Sequence, residues 1–378
     1  MSHMDMHAVR RLPSWTVAWS ILVCAAGLAL GCTSERPSPS STEWDDRALP
    51  FAPRTYVIQR APTVPQMDGR LTEEAWQDAT WTEPFVSNRG PEHAAPSFRT
   101  RATMMWDDRY LYLGAKLEEP HVRADFVTRD TTVWRENALE LFIDPTGDTH
   151  HYYEFQTNAR GTIWDLMLTR PYRDGGQPIS AWDIRGLQMG IDVHGTLNDP
   201  SDTDTGWTVE LALPWSVLRE AAPDGERPAP GDRWRLNLTR MQWPATIVEG
   251  GYVRDTTDAE PLAWSPHGDR GFHTPERWGI VQFSDQTVGA APDSVSLSPT
   301  DRVRWALRRL YYRQQQFRDT HGRYAASLAR LDASDITIPG HAFEPTLQAT
   351  PSLYELTAPG LDGSTIHLRQ DGKTWTTE

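Results

Sequence analysis

The chain has 378 residues and a formal net charge of −14, with 51 acidic and 37 basic side chains. This acidic balance argues against nucleic acid or an anionic lipid surface as a partner, because both repel negative charge. The only two cysteines, Cys24 and Cys32, lie close to the amino terminus. The mature protein should therefore have no disulfide, no thiol nucleophile and no cysteine-based metal site.

The first 32 residues predict a targeting signal. Arg10 and Arg11 precede an apolar run that ends at Gly31 and Cys32, which is the order of a charged region, an apolar region and a small residue. The run resembles a bacterial lipoprotein signal with Cys32 as the lipidated residue; the alternatives are a plain secretory signal or a single membrane anchor. Residues 33–53 then predict a flexible tether. We expect a location in the cell envelope, periplasmic or outward-facing, with lipid alone as the anchor.

Residues 54–285 predict one large domain of short strands separated by Asp, Gly and Pro turns. The alternating segments are residues 101–106, 110–117, 138–144, 152–157, 162–168, 187–193, 207–213, 234–239 and 279–283. Only residues 72–78 and 215–220 indicate helices, and both are short. Many even strands with few helices predict a mainly β protein, an antiparallel β-sandwich.

A second, smaller unit is predicted after a linker at residues 286–299, which are rich in Ser, Pro, Ala and Asp. Thr300 can cap a helix that runs to about Asp319, and Gly322 is a plausible stop. Short strands are expected near residues 354–356 and 365–368. Residues 307–328 resemble, weakly, the globular part of type IV pilin-like proteins without their apolar helix. We therefore expect residues 300–378 to form a small α+β appendage with no pilus role.

The segment from Trp134 to Asp144 is the strongest functional signal in the chain. Period-two alternation places Leu139, Leu141 and Ile143 on one face of a strand and Glu140 on the other. If the leucine face lies on the core, Glu140 can meet a polar ligand beside the indole of Trp134. Flat rings stack on the C–H faces of sugars and carboxylates accept hydrogen bonds from hydroxyls. The segment therefore favours a sugar-binding site.

An ordered set of segments strengthens this interpretation. The set comprises Tyr56-Val-Ile, Met67 to Trp76, Trp106 to Leu113, Glu140 to Asp144, Gly206 to Trp215, Arg233 to Leu238 and Pro275 to Gly279. Together they resemble family 9 carbohydrate-binding modules over about Tyr56 to Ser284. The resemblance implies a non-catalytic, jelly-roll-like sandwich that grips the end of a sugar chain between two aromatic rings, with bound calcium.

The resemblance also implies roles for individual residues. Trp134 falls on the first ring position, Glu140 on the carboxylate, and Phe272 on the second ring position, eight residues after Trp264. At three further contact positions, this sequence has a different residue from the one typical of the family. Asp269 stands where the family has an asparagine, Gln156 where it has an arginine, and Thr239 where it has a glutamine. Sugar binding is expected with an altered specificity, since readout depends on which donors and acceptors converge.

Two other groups of residues are candidate ligand contacts. Gln156 and Asn158 alternate in phase with Glu154 on one strand, so all three can line one groove. Calcium takes six to eight oxygen ligands, and Asp107, Asp108, Asp144 and Asp148 are the candidates for a structural site. Ordinary turn-forming aspartate is the competing interpretation.

Three functions are compatible with these patterns. The first is a lipid-anchored, non-catalytic glycan-binding protein, expected to be a monomer, that supports the capture or catabolism of oligo- or polysaccharide. The second is a haem-binding electron-transfer sandwich, with Met104, Met105, Met167, Met189 or Met241 and His150 or His194 as axial ligands. The third is a glycoside hydrolase that pairs Glu140 with Glu136, Asp144 or Glu154. No hydrolase domain or convergent acid/base motif is recognised, so we expect no enzymatic activity.

Overall fold

The computed structural model describes residues 50–90, 92–222, 227–254, 258–268 and 271–378, which all belong to one compact unit. The predicted signal with Cys32, most of the predicted tether and Asp269 lie outside these residues. Within the part of the chain that the structure describes, no helix is both long and apolar enough to cross a membrane.

Short strands dominate the described chain, as the alternating patterns predict. The strands are β1 Thr55–Arg60, β2 Val86–Ser87, β3 Thr100–Trp106, β4 Tyr110–Glu118, β5 Ala138–Asp144, β6 Tyr152–Asn158, β7 Ile163–Leu168, β8 Pro178–Ile179, β9 Gln188–His194, β10 Gly206–Pro214, β11 Arg233–Gln242, β12 Ala245–Val248, β13 Gly251–Arg254, β14 Glu260–Ala263, β15 Gly279–Thr287, β16 Thr346–Ala349, β17 Tyr354–Pro359, β18 Thr365–Arg369 and β19 Thr374–Thr377.

One long sheet doubles back on itself to make the predicted sandwich. Its strand order is β8-β7-β6-β5-β11-β15-β1-β3-β4-β10-β9, with β14 and β2 added beside β11. Leu141 of β5 and Leu238 of β11 share a buried cluster with Leu113 of β4 and Leu211 of β10. Because these strands come from opposite ends of the order, the cluster is the core between two layers. The mainly β, sandwich-like fold with a small helix-and-sheet appendage is thus confirmed.

Strand β1 makes the sheet mixed, whereas the sequence pattern predicts antiparallel pairing alone. Residues 55–58 pair in parallel with β15, and Gln59 and Arg60 pair in parallel with β3. The register shifts between Ile58 and Arg60. A strand that changes partners at such an irregularity carries the sheet from one layer to the other.

The helices are shorter or longer than their patterns indicate. Helix α1 covers only Glu74–Gln77, and the predicted helix at residues 215–220 is a 3₁₀ turn over Trp215–Val217. Helix α2 covers Pro299–His321 and ends at Gly322 with φ of 68°, as expected for a glycine stop. Its cap is Ser298 rather than Thr300, because Ser298 and Asp301 form a reciprocal capping box.

The predicted linker lies against the sandwich. Strand β15 extends to Thr287, and the Ser284 hydroxyl donates to Asp293 at 2.7 Å. Gln59 donates to the Ala290 carbonyl at 3.1 Å. The appendage that follows packs α2 on a four-stranded antiparallel sheet, β16-β17-β18-β19. Its likeness to pilin-like proteins stays a prediction.

A buried polar network joins the appendage to the sandwich. The hydroxyl of Tyr312 on α2 donates to Glu276, and Arg173 donates to the same carboxylate oxygen at 2.6 Å. The neighbouring hydroxyl of Tyr311 donates to Asp174. Glu276 follows Phe272 closely in sequence and Asp174 lies in the turn after β7. The appendage therefore contacts two loops of the sandwich, the one after β7 and the one that carries Phe272 and Glu276 before β15.

Candidate functional site

Strand register places four side chains in one row across the outer face of the sandwich. Thr239 of β11 lies opposite Glu140 of β5, Glu140 opposite Gln156 of β6, and Gln156 opposite Trp164 of β7. Directly opposed residues point to the same face, and neighbouring strands are ~4.8 Å apart, so the row spans ~14 Å. Three of its members were predicted as contacts from sequence. The row is a continuous strip of polar groups that ends on an indole.

Glu140 has one satisfied and one free carboxylate oxygen. Its side chain is 1% exposed, and Oε2 accepts a hydrogen bond from the Thr239 hydroxyl at 2.7 Å. Oε1 is buried and has no hydrogen-bond partner among the described residues. Burial, and then the nearby charge of Glu154, raise the pKa of Glu140 to about 8. Such an acceptor costs free energy until a water molecule or a ligand supplies a donor.

Glu154 lies two residues before Gln156 on β6, and it too has one hydrogen-bonded and one unpartnered carboxyl oxygen. Its Oε1 accepts a hydrogen bond from Gln156 Nε2 at 2.6 Å, and its Oε2 is buried without a hydrogen-bond partner among the described residues. Burial raises the pKa of Glu154 to about 7. The other end of Gln156 also has a fixed partner, since its Oε1 accepts the backbone N–H of Trp134 at 2.8 Å. Gln156 thus links the predicted aromatic position to the second carboxylate.

Four ring-bearing residues lie near the row. Trp134 and Trp164 are half-buried, Tyr172 is 43% exposed, and His273 is half-buried. The Tyr172 and His273 ring centroids are 4.6 Å apart, and the Tyr152 hydroxyl contacts His273 Nδ1 at 2.9 Å. The Trp134 carbonyl accepts a hydrogen bond from the Trp243 indole at 2.8 Å, which fixes the backbone at this point. Half-exposed indoles can offer a face to a sugar while their backbones stay anchored.

Phe272 lies inside a small hydrophobic cluster. It is 7% exposed, packs with its centroid 6.1 Å from that of Phe142, and its carbonyl accepts the Trp278 indole N–H at 2.8 Å. Trp264, from which its position was counted, is in the main core. The structure therefore does not set Phe272 as an exposed ring opposite Trp134. A contact role for its ring remains a prediction, as does that of Asp269, which lies outside the described residues.

Asn158 is fully buried and its amide is fully used. Nδ2 donates to the Phe126 carbonyl and to Glu136, while Oδ1 accepts the backbone N–H groups of Arg160 and Thr162. These bonds organise the turn between β6 and β7. A ligand could contact the Asn158 amide only if some of these hydrogen bonds broke. In this structure Asn158 therefore stabilises the turn.

The four aspartates predicted for calcium already have protein partners. Asp107 accepts the backbone N–H groups of Arg109 and Tyr110, and Asp108 forms an ion pair with Arg60 at 2.7 Å. The other two aspartates also have protein partners. Asp144 accepts the backbone N–H groups of Gly147 and Thr149, and Asp148 forms an ion pair with Lys373 at 3.1 Å. Burial and the charge of Asp148 raise the pKa of Asp144 to about 7.

The described residues contain one other acidic grouping with metal-ligand spacing, Asp130, Asp165 and Asp183. Arg129 forms ion pairs with all three, the shortest to Asp165 at 2.5 Å. The contacts of these aspartates with the protein form without calcium. Calcium binding therefore stays a prediction.

The groups named for haem and for hydrolysis have other contacts. His150 Nε2 lies 3.5 Å from Asp371, and His194 Nε2 lies 3.2 Å from the Thr208 hydroxyl. Glu136, a possible partner of Glu140 in catalysis, accepts the backbone N–H groups of Asp125 and Phe126 instead. Of the three partners considered for Glu140 in catalysis, Glu154 alone has a carboxyl oxygen without a hydrogen-bond partner among the described residues.

Sequence reasoning missed three of the residues around the row. Trp164 could have been found, because alternation along β7 puts it in phase with the face of Glu140 once the pairing with β6 is known. Tyr172 and His273 lie in turns outside the strands. No period or motif in the chain marks them, since their positions depend on how those turns fold over β6.

One face of the sandwich thus combines two buried carboxyl groups, each with an oxygen that has no hydrogen-bond partner among the described residues, with half-exposed indoles. The model of the carbohydrate family 9 binding domain-like family matches residues 67–286, more than half of the 378 residues. The chain therefore belongs to that family, whose members are binding modules, and the matched region is a binding domain rather than a catalytic one.

Known proteins of similar sequence are much larger enzymes. The chain is 25% identical over 156 residues to Exoglucanase XynX of Acetivibrio thermocellus, covering 41% of this chain and 12% of that protein. It is 23% identical over 154 residues to Endo-1,4-beta-xylanase A of Thermoanaerobacterium saccharolyticum, covering 41% of this chain and 11% of that protein. The chain thus spans about an eighth of the length of these relatives or less.

Among solved structures, the chain is similar to a carbohydrate-binding module of family 9 from Caldicellulosiruptor kristjanssonii in complex with cellotriose. The alignment has 13% identity and a TM-score of 0.40, and it covers 65% of this chain and 100% of that chain.

Proposed function

We propose that this protein is a non-catalytic, lipid-anchored glycan-binding protein that supports the capture or catabolism of polysaccharide. Family membership supports carbohydrate as the ligand class. The single structural observation that carries the proposal is the free, buried Oε1 of Glu140 in the row from Thr239 to Trp164. A sugar hydroxyl supplies the donor that this oxygen lacks, since a carboxyl oxygen accepts hydrogen bonds from hydroxyls.

Aromatic stacking is the second part of the proposal. Trp134 and Trp164 are both half-buried. The backbone N–H of Trp134 donates to the Gln156 side chain, and Trp164 lies opposite Gln156 on β7, so either indole can lie along a sugar face. Such stacking adds apolar contact to hydroxyl readout without requiring a deep pocket. This arrangement replaces the sandwich of two rings that the resemblance implies, because the ring of Phe272 packs into a buried cluster.

Calorimetric titration against a glycan panel tests the proposal. The names of the sequence relatives point to glucans and to 1,4-β-linked xylans, so cello- and xylo-oligosaccharides head the panel. We expect saturable heat with at least one of them, and at least a tenfold loss of affinity in Trp134→Ala. The absence of heat across a broad panel, or equal affinity in Trp134→Ala, would contradict the proposal.

Lipidation and calcium binding are separate parts of the proposal. Cys32 is the proposed lipidated residue, and metabolic labelling with palmitate should mark the wild-type protein and leave Cys32→Ala unlabelled. Calcium, if it is structural, should be found by metal analysis of washed protein and should raise the melting temperature when added. Neither result depends on glycan binding, so each part can fail alone.

Haem binding and hydrolysis have direct tests of their own. A Soret band after haem addition would support the electron-transfer alternative. Release of reducing sugar that is abolished in Glu140→Gln would support a hydrolase.

A further inference from the structure

An open cavity lies at the end of the sandwich where β4 and β11 finish. Its volume is about 180 Å³, and its lining includes Ser97 before β3, Pro120 after β4, Gln242 and Trp243 at the end of β11, and Glu260 of β14. Ser97 is exposed, so the cavity reaches the surface there. Gln242 and Thr239 are three residues apart on one strand, so their side chains point to opposite faces. The cavity is therefore separate from the row that contains Thr239 and Glu140.

The cavity has the size of one small ligand. A single buried water needs only ~10–15 Å³, whereas pockets for drug-sized molecules span ~300–1,000 Å³. The volume of about 180 Å³ exceeds what one or two waters need and is below the drug-sized range. A ligand as small as one sugar ring suits this space.

The walls are mostly apolar, and the deepest charge among them is compensated. The apolar part consists of the rings of Phe98, Pro120, Trp243 and Pro244. Glu119 also lines the cavity and is 2% exposed, but Arg240 lies 3.3 Å from its carboxylate and the Trp207 indole donates to it at 3.0 Å. Apolar walls with few polar groups are typical of ligand pockets. The compensated carboxylate favours a neutral ligand.

The Gln242 side chain is the polar group that lacks a partner in this cavity. Gln242 is 5% exposed, and its Oε1 is buried without a hydrogen-bond partner among the described residues. A half-turn of the terminal amide exchanges its oxygen and its nitrogen, so the amide can present an acceptor or a donor. Glu260 lies directly opposite Gln242 on β14. Its carboxylate accepts the Ser97 backbone N–H at 3.2 Å and has room for further donors.

These groups match the chemistry of a sugar ring. A sugar presents hydroxyls around its edge and C–H groups on its faces, and aromatic rings pack on such faces. The Gln242 amide and the Glu260 carboxylate supply partners for hydroxyls, while Phe98 and Trp243 supply rings. One small cavity thus combines both kinds of contact.

Trp243 connects the cavity to the predicted sugar contacts. Its indole N–H donates to the Trp134 carbonyl at 2.8 Å, and its backbone N–H donates to Asn137 at 2.6 Å. Gln242 and Thr239 are ~10 Å apart along an extended strand. A glycan that lies along Trp134 can therefore pass Trp243 at the strand ends and place a further residue in the cavity.

Resting on the proposed function, we propose that this cavity is a second sugar subsite, which takes one neutral residue of the same glycan that contacts the row. The Gln242 amide and Glu260 bind its hydroxyls, and the rings of Phe98 and Trp243 contact its C–H groups. The protein then recognises a glycan of several residues rather than a single sugar. No bond is made or broken, so the step is recognition alone.

The dependence of affinity on chain length tests this assignment. A disaccharide can occupy the row or the cavity, whereas a hexasaccharide can occupy both, and the second contact is then intramolecular. The probes are cellobiose with cellohexaose, and xylobiose with xylohexaose. Calorimetric titration should show at least about tenfold tighter binding of one hexasaccharide than of its disaccharide.

Two variants change the cavity and leave the row intact. Ala245→Leu adds a larger side chain to the cavity wall, and Gln242→Met keeps the length of the side chain but removes the amide. Both should reduce the gain from chain length to less than about threefold and keep the affinity for the disaccharide within about threefold of wild type. Ala326→Leu, at an exposed alanine of the appendage, is the matched control and should keep the full gain.

Stability without ligand separates a sugar contact from a structural role. Gln242→Met removes a buried acceptor that has no partner, so the variant should unfold in urea at the same concentration as wild type or a higher one. A ligand contact therefore predicts weaker binding of the hexasaccharide without any loss of stability. A structural role predicts a lower urea midpoint.

The outcomes distinguish this subsite from the proposed function as a whole. Binding of no oligosaccharide overturns both. Equal affinity for disaccharide and hexasaccharide, or a gain that persists in Ala245→Leu and Gln242→Met, overturns the second subsite and leaves glycan binding at the row intact; the cavity then holds water alone. A lower urea midpoint of Gln242→Met, together with a full gain in Ala245→Leu, assigns the amide to structure and also overturns the subsite.

Discussion

The Gln156 side chain holds the Trp134 backbone in place: its Oε1 accepts the Trp134 N–H at 2.8 Å. The same side chain donates to Glu154 at 2.6 Å from its other end. One buried amide therefore sets the position of an indole and of a carboxylate on the same sheet face. The site has this coupling because Gln156 lies between Glu140 and Trp164 in the strand register.

Replacing Gln156 should weaken both stability and binding. Gln156→Met keeps the length of the side chain but leaves the Trp134 N–H and Glu154 Oε1 without partners. Unsatisfied buried groups cost about 1–3 kcal/mol each, so denaturant unfolding should show a loss of about 2–4 kcal/mol and titration a loss of glycan affinity. Gln77→Met, an exposed amide on α1, is the control. Unchanged affinity in a folded Gln156→Met would show that the Trp134 position does not depend on this bond.

Trp164 should contribute to glycan binding although sequence reasoning overlooked it. Trp164→Ala removes the half-exposed indole at the end of the row, and stacking of one sugar on a ring contributes about 1 kcal/mol or more. We expect at least a fivefold loss of affinity in calorimetry. Trp81→Ala is the matched control, since Trp81 is also half-buried but packs with the cluster around Trp76. Equal losses in both variants would indicate a general effect on stability.

Sequence patterns predicted the strands well because alternation is local. The segments at residues 101–106, 110–117 and 138–144 match β3, β4 and β5 within one residue at each end. The pairing of β1 with β15 joins residues more than 200 positions apart, such as Ile58 and Phe283. No local pattern encodes such a pairing, so its parallel direction was missed.

The site was predicted only in part for the same reason. Alternation and resemblance named Glu140, Gln156 and Thr239 as contacts, and the strand register puts the three on one face, while their contact with a ligand stays a prediction. They could not show that Phe272 packs against Phe142, because that contact joins a loop to a distant strand. They also could not show that the Asn158 side chain accepts hydrogen bonds from backbone N–H groups of the adjacent turn.

The appendage should stabilise the loops beside the site. Tyr312→Phe deletes a buried hydroxyl that donates to Glu276 and leaves that carboxylate with fewer donors. We expect a loss of about 1–3 kcal/mol in chemical denaturation. Tyr110→Phe, whose hydroxyl contacts Arg109 and Gln188 in exposed positions, should change stability by less than about 0.5 kcal/mol. Identical stability of the two variants would contradict a structural role for the network.

Glu140 should make the protein less stable as the pH rises. Its folded-state pKa of about 8 lies above the ordinary value of 4.5, so the folded protein holds this proton more tightly than the unfolded chain does. The resulting stabilisation is complete below about pH 4.5 and is lost as the pH rises through about 8. Glu140→Gln, which cannot ionise, should therefore be more stable than wild type at pH 9, by about 2–4 kcal/mol.

Urea unfolding of the two proteins at pH 5 and pH 9 measures this difference. Glu154 contributes in the same direction through its pKa of about 7, and comparison with Glu140→Gln isolates the Glu140 part. A variant that is less stable than wild type at pH 9 would contradict the assignment of a raised pKa to Glu140.

The central claim is that Glu140 is kept buried and uncompensated because a glycan satisfies its free oxygen. Calorimetric titration at pH 9 of wild type, Glu140→Gln and Glu74→Gln, with whichever neutral oligosaccharide the panel identifies, tests it most directly. The account predicts that Glu140→Gln binds at least tenfold more weakly while being the more stable protein, and that Glu74→Gln binds like wild type. Equal affinity of Glu140→Gln and wild type would contradict the account, because the carboxylate would then have no part in holding the sugar.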